Sequence, residues 1–159
     1  MVSGGKVAEN RWRGRLVAHA RFIARFLAVF VPVYSLGLWR GAAAEAPWVL
    51  AFAWERGWPF VPAMIVLYLS LLAAWGMPLL LLPVDRYPAL TRQVVRAVLA
   101  CGVVFMALPT TSGFPAHAPV PAALDPAFAL LGLVDRPFNL FPSLHVVGAA
   151  LVLLASADH

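Results

Sequence analysis

A run of 23 residues without a single charge extends from Phe60 to Leu82. An α-helix rises about 1.5 Å per residue, so a helix of this length spans the roughly 30 Å hydrocarbon core of a bilayer. Pro62 suits the first turn of such a helix, whereas Pro78 is expected to kink it. This run therefore predicts a membrane-spanning helix around which the remaining chain must be arranged.

Composition extends this prediction to the whole chain, which is 62% hydrophobic and 12% charged, with a mean hydropathy of +0.83. Lipid offers no hydrogen-bond partner to a backbone, and no sustained alternation of apolar and polar residues indicates strands. We therefore predict an all-α integral membrane helical bundle without a sheet and with about four transmembrane segments. The other three apolar runs are Phe26–Trp39, Val94–Leu108 and Leu144–Ala157.

Each of these three runs is short for a span. The first reaches spanning length only if it begins near Phe22, with Arg21 and Arg25 extending to the interface. The run Val94–Leu108, which is the third predicted span of the chain, is entered from a predicted short basic loop, Pro83 to Arg96. The last run is followed by the end of the chain at His159, so we expect the fourth segment, and the domain, to be C-terminally incomplete.

The positive charges indicate how the spans are oriented. Six of the twelve basic residues lie in the first 25 positions, which is typical of a cytoplasmic membrane flank rather than of a nucleic-acid surface. With the N-terminus inside, nine basic residues fall on the inner side: Lys6, Arg11, Arg13, Arg15, Arg21, Arg25, Arg86, Arg92 and Arg96. Only Arg40, Arg56 and Arg136 fall outside. We predict a multi-pass protein of the cell inner (plasma) membrane with a cytoplasmic N-terminus.

This orientation divides the chain into a basic cytoplasmic segment, residues 1–21, and a transmembrane domain, residues 22–159. A cleavable signal peptide is the alternative, because an apolar core is followed by Ala44-Glu45-Ala46. Between the third and fourth spans lies a long proline-containing loop, Thr110 to Asn139, in which Asp125 to Val134 is predicted to form a short interfacial helix. Gly37 and Gly41 form one GxxxG pattern, a weak signal for close packing.

Polar residues that are capable of chemistry crowd into the stretch Asp135-Arg136-Pro137-Phe138-Asn139-Leu140-Phe141-Pro142-Ser143-Leu144-His145. Ser143 follows a proline and precedes an apolar run, so it reads as a helix N-cap. A helix N-terminus favours anions, Arg136 offers a planar fork of donors for phosphate, and His145 can exchange a proton. The stretch predicts a phosphate-handling site, facing outward, at the end of a membrane helix.

The same stretch resembles the second signature motif of the type 2 phosphatidic acid phosphatase (PAP2) superfamily, in its residues Phe-Pro-Ser-Leu-His-Val preceded by Asp-Arg-Pro-Phe-Asn. With leucine between the serine and the histidine, the motif is similar to that of the branch that includes fungal inositol phosphorylceramide synthase and related bacterial membrane phosphatases. The segment Trp54 to Pro62 resembles that branch less specifically. The alternative interpretation is a capped helix start with an incidental histidine.

The resemblance implies a metal-free phosphoryl transfer without a cofactor. In the family, a third-motif histidine oriented by an aspartate attacks phosphorus, and the second-motif histidine protonates the leaving oxygen. His145 matches that general acid, Ser143 matches a donor to a phosphate oxygen, and Asn139 and Asp135 match positions that shape the approach. The phosphate-binding role of Arg136 is inferred from its chemistry and not from the motif.

Two motifs of the family are not matched. The region of the first motif, Leu108 to His117, contains no lysine or arginine, and His117 is more readily read as an ordinary loop histidine than as a substitute donor. No third motif follows the last apolar run. We therefore expect a partial phosphatase or phosphotransferase that is inactive by itself. The expected substrate is a lipid or isoprenoid phosphate ester, and the expected surroundings are membrane lipids. Completion by a partner chain or a homo-oligomer is left open, and the alternative is a non-catalytic membrane protein.

Overall fold

The computed structural model describes residues 3–112, 120–134 and 138–157. In these parts of the chain the fold is an all-α bundle, as predicted, with a minimal sheet added to it. The helices are α1 (Ser3–Ala42), α2 (Met64–Ala73), α3 (Met77–Leu81), α4 (Tyr87–Ala107), α5 (Asp125–Val134) and α6 (Leu144–Ala157), and the strands are β1 (Trp48–Leu50) and β2 (Thr110–Ser112).

Three helical stretches are long and apolar enough to cross a membrane: Glu9–Ala42, Met64–Leu81 and Val84–Ala107. Helix α6 is apolar but shorter, with 14 residues. The predicted helices Asp125 to Val134 and Leu144 to Ala157 are confirmed with the same bounds. The uncharged run is helical from Met64 onward, after a turn that contains Pro62, and a 3-10 turn at Ala74–Gly76 interrupts it just before Pro78.

The starts of the first and third spans lie far earlier than the apolar runs predict. Helix α1 has 40 residues and passes through position 21 without a break. Helix α4 begins at Tyr87, so the prediction of a basic loop up to Arg96 is wrong over most of its length. The reason is that arginine is a good helix former and occupies exposed positions, while an apolar face continues beneath it.

The bundle alternates in direction. Helices α1 and α4 run parallel, because Phe22 contacts Tyr87 near one end and Gly37 lies against Phe105 near the other. The α2–α3 stretch runs the opposite way, since Arg15 donates to the Leu80 carbonyl at 3.0 Å and Phe26 stacks on Trp75 at a ring distance of 4.2 Å. Helix α6 runs in the same direction as α2–α3.

The buried core follows the contact of α1 with α4. Helix α4 buries one face at spacings of three and four residues, which is the pattern of an amphipathic helix. Phe22 from α1 and Val152 from α6 also belong to this core, and each is at most 1% exposed. The core face of α4 consists of Tyr87, Leu90, Thr91, Val94, Val98, Cys101 and Phe105.

A two-stranded parallel sheet caps the α1–α4 end, which corrects the prediction that the fold contains no sheet. Trp48 pairs with Thr110 and Leu50 with Ser112. The two strands follow α1 and α4. Because these helices are parallel, both segments leave the bundle side by side and in the same direction. The sheet contains only six residues, three after each of the two helices. The fold class is therefore unchanged.

Candidate functional site

The polar stretch before α6 is held from two sides. The Asn139 N–H donates to the Thr110 carbonyl at 3.2 Å, and the Leu140 N–H donates to Thr110 Oγ1 at 2.9 Å. Thr111 forms an antiparallel bridge with Phe138. The segment therefore continues the small sheet as a third, irregular edge before the chain turns into α6.

Asn139 fixes this segment to α1. Its side chain is only 6% exposed, and its φ of 59° lies in the left-handed region, which asparagine adopts more readily than most residues. In the amide orientation that satisfies both groups, Nδ2 donates to the Gly37 carbonyl at 3.1 Å and Oδ1 accepts from the Leu38 N–H at 2.9 Å. The described contacts of Asn139 are thus structural, and its part in shaping the approach to a substrate stays a prediction.

The GxxxG pattern of α1 is what permits this contact. A Cβ on Gly37 would lie 2.6 Å from the side-chain amide of Asn139, and a Cβ on Gly41 would lie 2.9 Å from Phe138 Cβ. The two glycines therefore receive the motif segment, and Gly37 also lies against Phe105 of α4. The sequence signal was real, but its partner was not apparent from the pattern alone.

Ser143 caps α6, as predicted. Its Oγ accepts the Val146 N–H at 3.4 Å, and its carbonyl accepts the Val147 N–H at 3.0 Å. The hydroxyl oxygen thereby accepts a bond at the helix start, and the role of Ser143 as a donor to a phosphate oxygen stays a prediction. Asp135, Arg136 and His117 lie outside the described residues, so their predicted roles stay predictions.

The N-terminus of α6 lies within the bundle and not at its end. Leu144 shares a small crevice with Phe26 and Val98, whereas Asn139 contacts Gly37, eleven residues further along α1. At about 1.5 Å per residue this places the start of α6 roughly 16 Å below Gly37. The start of α6 is therefore recessed among the helices, and its placement toward the outer side of a membrane stays a prediction.

His145 lies in the first turn of α6 and reaches Tyr68 of α2. The Tyr68 hydroxyl is 3.2 Å from Nδ1 and 3.1 Å from Nε2, and the two ring centroids are 4.9 Å apart. A single hydroxyl proton can be donated to only one nitrogen, so the tautomer of His145 decides which contact is a donor bond. Tyr68 is not predicted from the sequence as a site residue, although Tyr68 and Ser70 are the two hydroxyl-bearing residues of the uncharged run.

The His145–Tyr68 pair forms part of the wall of an apolar cleft. The cleft has a volume of about 460 Å³ and lies between α1, α2, α5 and α6. Among the described residues that line it, His145 is the one that can carry positive charge; the others are Ile23, Phe26, Leu27, Phe30, Tyr34, Tyr68, Leu69, Leu72, Trp75, Leu130, Leu131 and Leu144. Few polar groups in a largely apolar pocket are typical of a site for an amphipathic ligand.

Fold and site together define a helical membrane protein with a histidine–tyrosine pair in the wall of an apolar cleft. In the described part of the chain no group of three His, Cys, Asp or Glu residues could hold a metal ion. Comparison of the chain with protein-family models, with curated proteins and with solved structures finds no match. What the site can do must therefore be argued from its own geometry.

Proposed function

We propose that the chain carries the general-acid side of a PAP2-like membrane phosphatase or phosphotransferase that acts on a lipid or isoprenoid phosphate ester. The observation that supports this most directly is the position of His145 and Tyr68 in the wall of a 460 Å³ apolar cleft. The apolar cleft matches the hydrocarbon chain of such an ester, and His145 matches the phosphate at the polar end of that chain. In this proposal the N-terminus is cytoplasmic and the Ser143 end of α6 faces the outer side of the inner (plasma) membrane.

In the proposed reaction, His145 gives its proton to the ester oxygen as that oxygen leaves phosphorus. The phosphoryl group is transferred to a nucleophile and then to water or an alcohol. The apolar side chains of the cleft exclude water and orient the chain of the substrate, while the Tyr68 hydroxyl holds the imidazole in place. Arg136 and Asp135 are proposed to act on the phosphate side.

A second function, that of a non-catalytic membrane protein, is favoured by a specific observation. Asn139 and Ser143, two of the motif residues, make hydrogen bonds that stabilise the fold: one anchors the segment to α1 and the other caps α6. On this alternative the motif is retained for architecture and His145 packs against Tyr68 without a ligand.

Binding distinguishes the two proposals without requiring turnover. We expect the purified chain in detergent to bind farnesyl phosphate more tightly than farnesol, and His145→Ala to remove that preference. The expected loss is roughly tenfold or more, because a hydrogen bond to a charged group contributes about 1.5–3 kcal/mol. Isothermal titration calorimetry measures both ligands on both proteins.

The matched control is His19→Ala, which removes a histidine that also lies beside a tyrosine, Tyr87, but outside the cleft lining. This variant should keep the preference for the phosphate. Equal binding of farnesol and farnesyl phosphate by the unsubstituted chain would favour the non-catalytic alternative. A His145→Ala variant that retains the preference would show that another group recognises the phosphate.

A further inference from the structure

A second apolar groove lies along the contact of α1 with α4, on a different side of α1 from the cleft. It has a volume of about 510 Å³ and is lined by Val33 and Leu36 of α1 and by Leu99, Gly102, Val103, Met106 and Ala107 of α4. None of these residues lines the cleft that contains His145. Leu99 is 49% exposed and Val103 is 70% exposed, so the groove opens to the surroundings of the bundle.

Two arginines lie on the helix faces that form this groove. Arg92 precedes Leu99 by seven residues, which is two turns of α4, and Arg25 precedes Leu36 by eleven residues, which is three turns of α1. Both arginine side chains are exposed. By this helical spacing, the two arginines lie on the same helix faces as the groove, toward the N-terminus of each helix.

The two arginines also lie at the same height. The contacts Phe22–Tyr87 and Val33–Gly102 fix the register of the parallel helices, and interpolation between them places Arg25 beside Arg92. Arg21 and Arg96, one helical turn away on each helix, are exposed as well. Four exposed arginines therefore lie on α1 and α4 toward the N-terminal end of the groove.

Negative charge near this end is sparse. Among the described side chains the one ion pair is Arg13–Glu9, at 2.9 Å and near the start of α1. The acidic residue nearest in sequence to Arg92 is Asp85, two turns earlier and in the 3-10 turn that precedes α4. Four arginines and one aspartate leave a net positive surface next to an apolar groove, which is complementary to an anionic amphiphile.

We propose that this groove binds one anionic phospholipid of the surrounding bilayer. The phosphate is bridged by Arg25 and Arg92, and the acyl chains lie along the groove toward Leu36 and Met106. From Arg92 to Met106 the helix rises about 21 Å, which accommodates the acyl region of one leaflet, half of a core of roughly 30 Å. Basic pockets between transmembrane helices bind lipid head groups in this way. The proposal is independent of the activity proposed for His145.

The test is lipid retention by the full chain. The protein is reconstituted in vesicles of phosphatidylcholine with an equal amount of phosphatidylglycerol, extracted in mild detergent and analysed by native mass spectrometry. We expect one phosphatidylglycerol to be retained in preference to phosphatidylcholine. Arg25→Gln with Arg92→Gln should reduce that preference by roughly 25-fold, because each basic residue near an anionic surface contributes about a fivefold factor.

The matched control removes the same charge elsewhere, by Arg11→Gln with Arg13→Gln at exposed positions of α1. The control should keep the preference, and an equal loss in both double variants would overturn the proposal in favour of non-specific attraction. Leu99→Trp fills the exposed groove while retaining all arginines, and it should also weaken retention. Unchanged retention in Leu99→Trp, or displacement of the lipid by inorganic phosphate alone, would show that the groove does not hold the acyl chains.

Discussion

At the scale of single residues, the motif stretch divides between architecture and chemistry. Asn139 is buried, and its amide joins the carbonyl of Gly37 to the N–H of Leu38. A buried amide without such partners would be costly, so this contact specifies where the segment lies. His145 is oriented differently, into an apolar cleft and toward a tyrosine hydroxyl. Within six residues the chain changes from a group that fixes the fold to a group suited to proton transfer.

Tyr68 gives the residue-scale prediction. Tyr68→Phe keeps the ring that packs beside His145 but removes the hydroxyl 3.1 Å from Nε2. We expect the tautomer ratio of His145 to change, because the bond that selects the protonated nitrogen is lost. Nitrogen-15 NMR of histidine-labelled protein in detergent measures this ratio, and His145→Gln identifies the signal among the four histidines.

Tyr34→Phe is the matched control for that experiment. Tyr34 lines the same cleft and stacks on Phe30 at a ring distance of 5.1 Å, so the substitution removes a hydroxyl of the same kind from the same environment. The His145 signal should stay where it is in Tyr34→Phe. Identical spectra of Tyr68→Phe and the unsubstituted protein would mean that the hydroxyl does not orient the imidazole.

At the scale of elements, the contact between α1 and the motif segment determines where α6 begins. Gly37 and Gly41 lie on one face of α1, one turn apart, and each faces a side chain of the segment. β2 holds the same segment through Thr110. The start of α6 is thus positioned from two elements that are far apart in sequence, which a pattern within any one of them does not reveal.

Gly37→Ala is expected to destabilise the bundle, because the added Cβ would lie 2.6 Å from the side-chain amide of Asn139 and 3.1 Å from Phe105 Cδ2. Overpacking of this kind costs about 1–3 kcal/mol. On the same helix, Gly14 has open space around the position of a Cβ, so Gly14→Ala should stabilise α1 by roughly 0.5–1 kcal/mol. Unfolding in increasing dodecyl sulfate, followed by circular dichroism, measures both. A shift of the same sign in the two variants would contradict the close contact.

The sequence predicts those elements whose signals are local. Helices α5 and α6 were bounded correctly, since Asp125 and Ser143 mark their starts. The starts of α1 and α4 were missed because arginines such as Arg92 interrupt an apolar run without interrupting the helix. The sheet and the Tyr68–His145 pair were missed for another reason: each joins residues more than 60 positions apart, and only the packing of the bundle brings them together.

At the scale of the whole molecule, the arginines and the His145 site lie at different positions along the bundle. Arg15 lies beside Leu80 and Arg86 beside Leu154, at the end where α3 and α6 finish. The small sheet and the Asn139 contact form the opposite end. A bundle with most of its arginines toward one end favours placing that end in the cytoplasm. His145 then lies between the two ends, and a ligand of the cleft would be enclosed by helices for much of its length.

The proposed orientation can be tested at two exposed acidic positions. Glu9 lies near the start of α1, and Glu45 lies in the loop between α1 and β1, at opposite ends of the first span. With an inner N-terminus, a cysteine at Glu45 should react in intact cells with a membrane-impermeant maleimide, and a cysteine at Glu9 should react only after lysis. The native Cys101 is 4% exposed in the core, so it contributes little background and serves as the internal control in the unsubstituted chain. Labelling of Glu9→Cys but not Glu45→Cys in intact cells would invert the proposed topology. It would also move the head group bound by Arg25 and Arg92 to the outer leaflet.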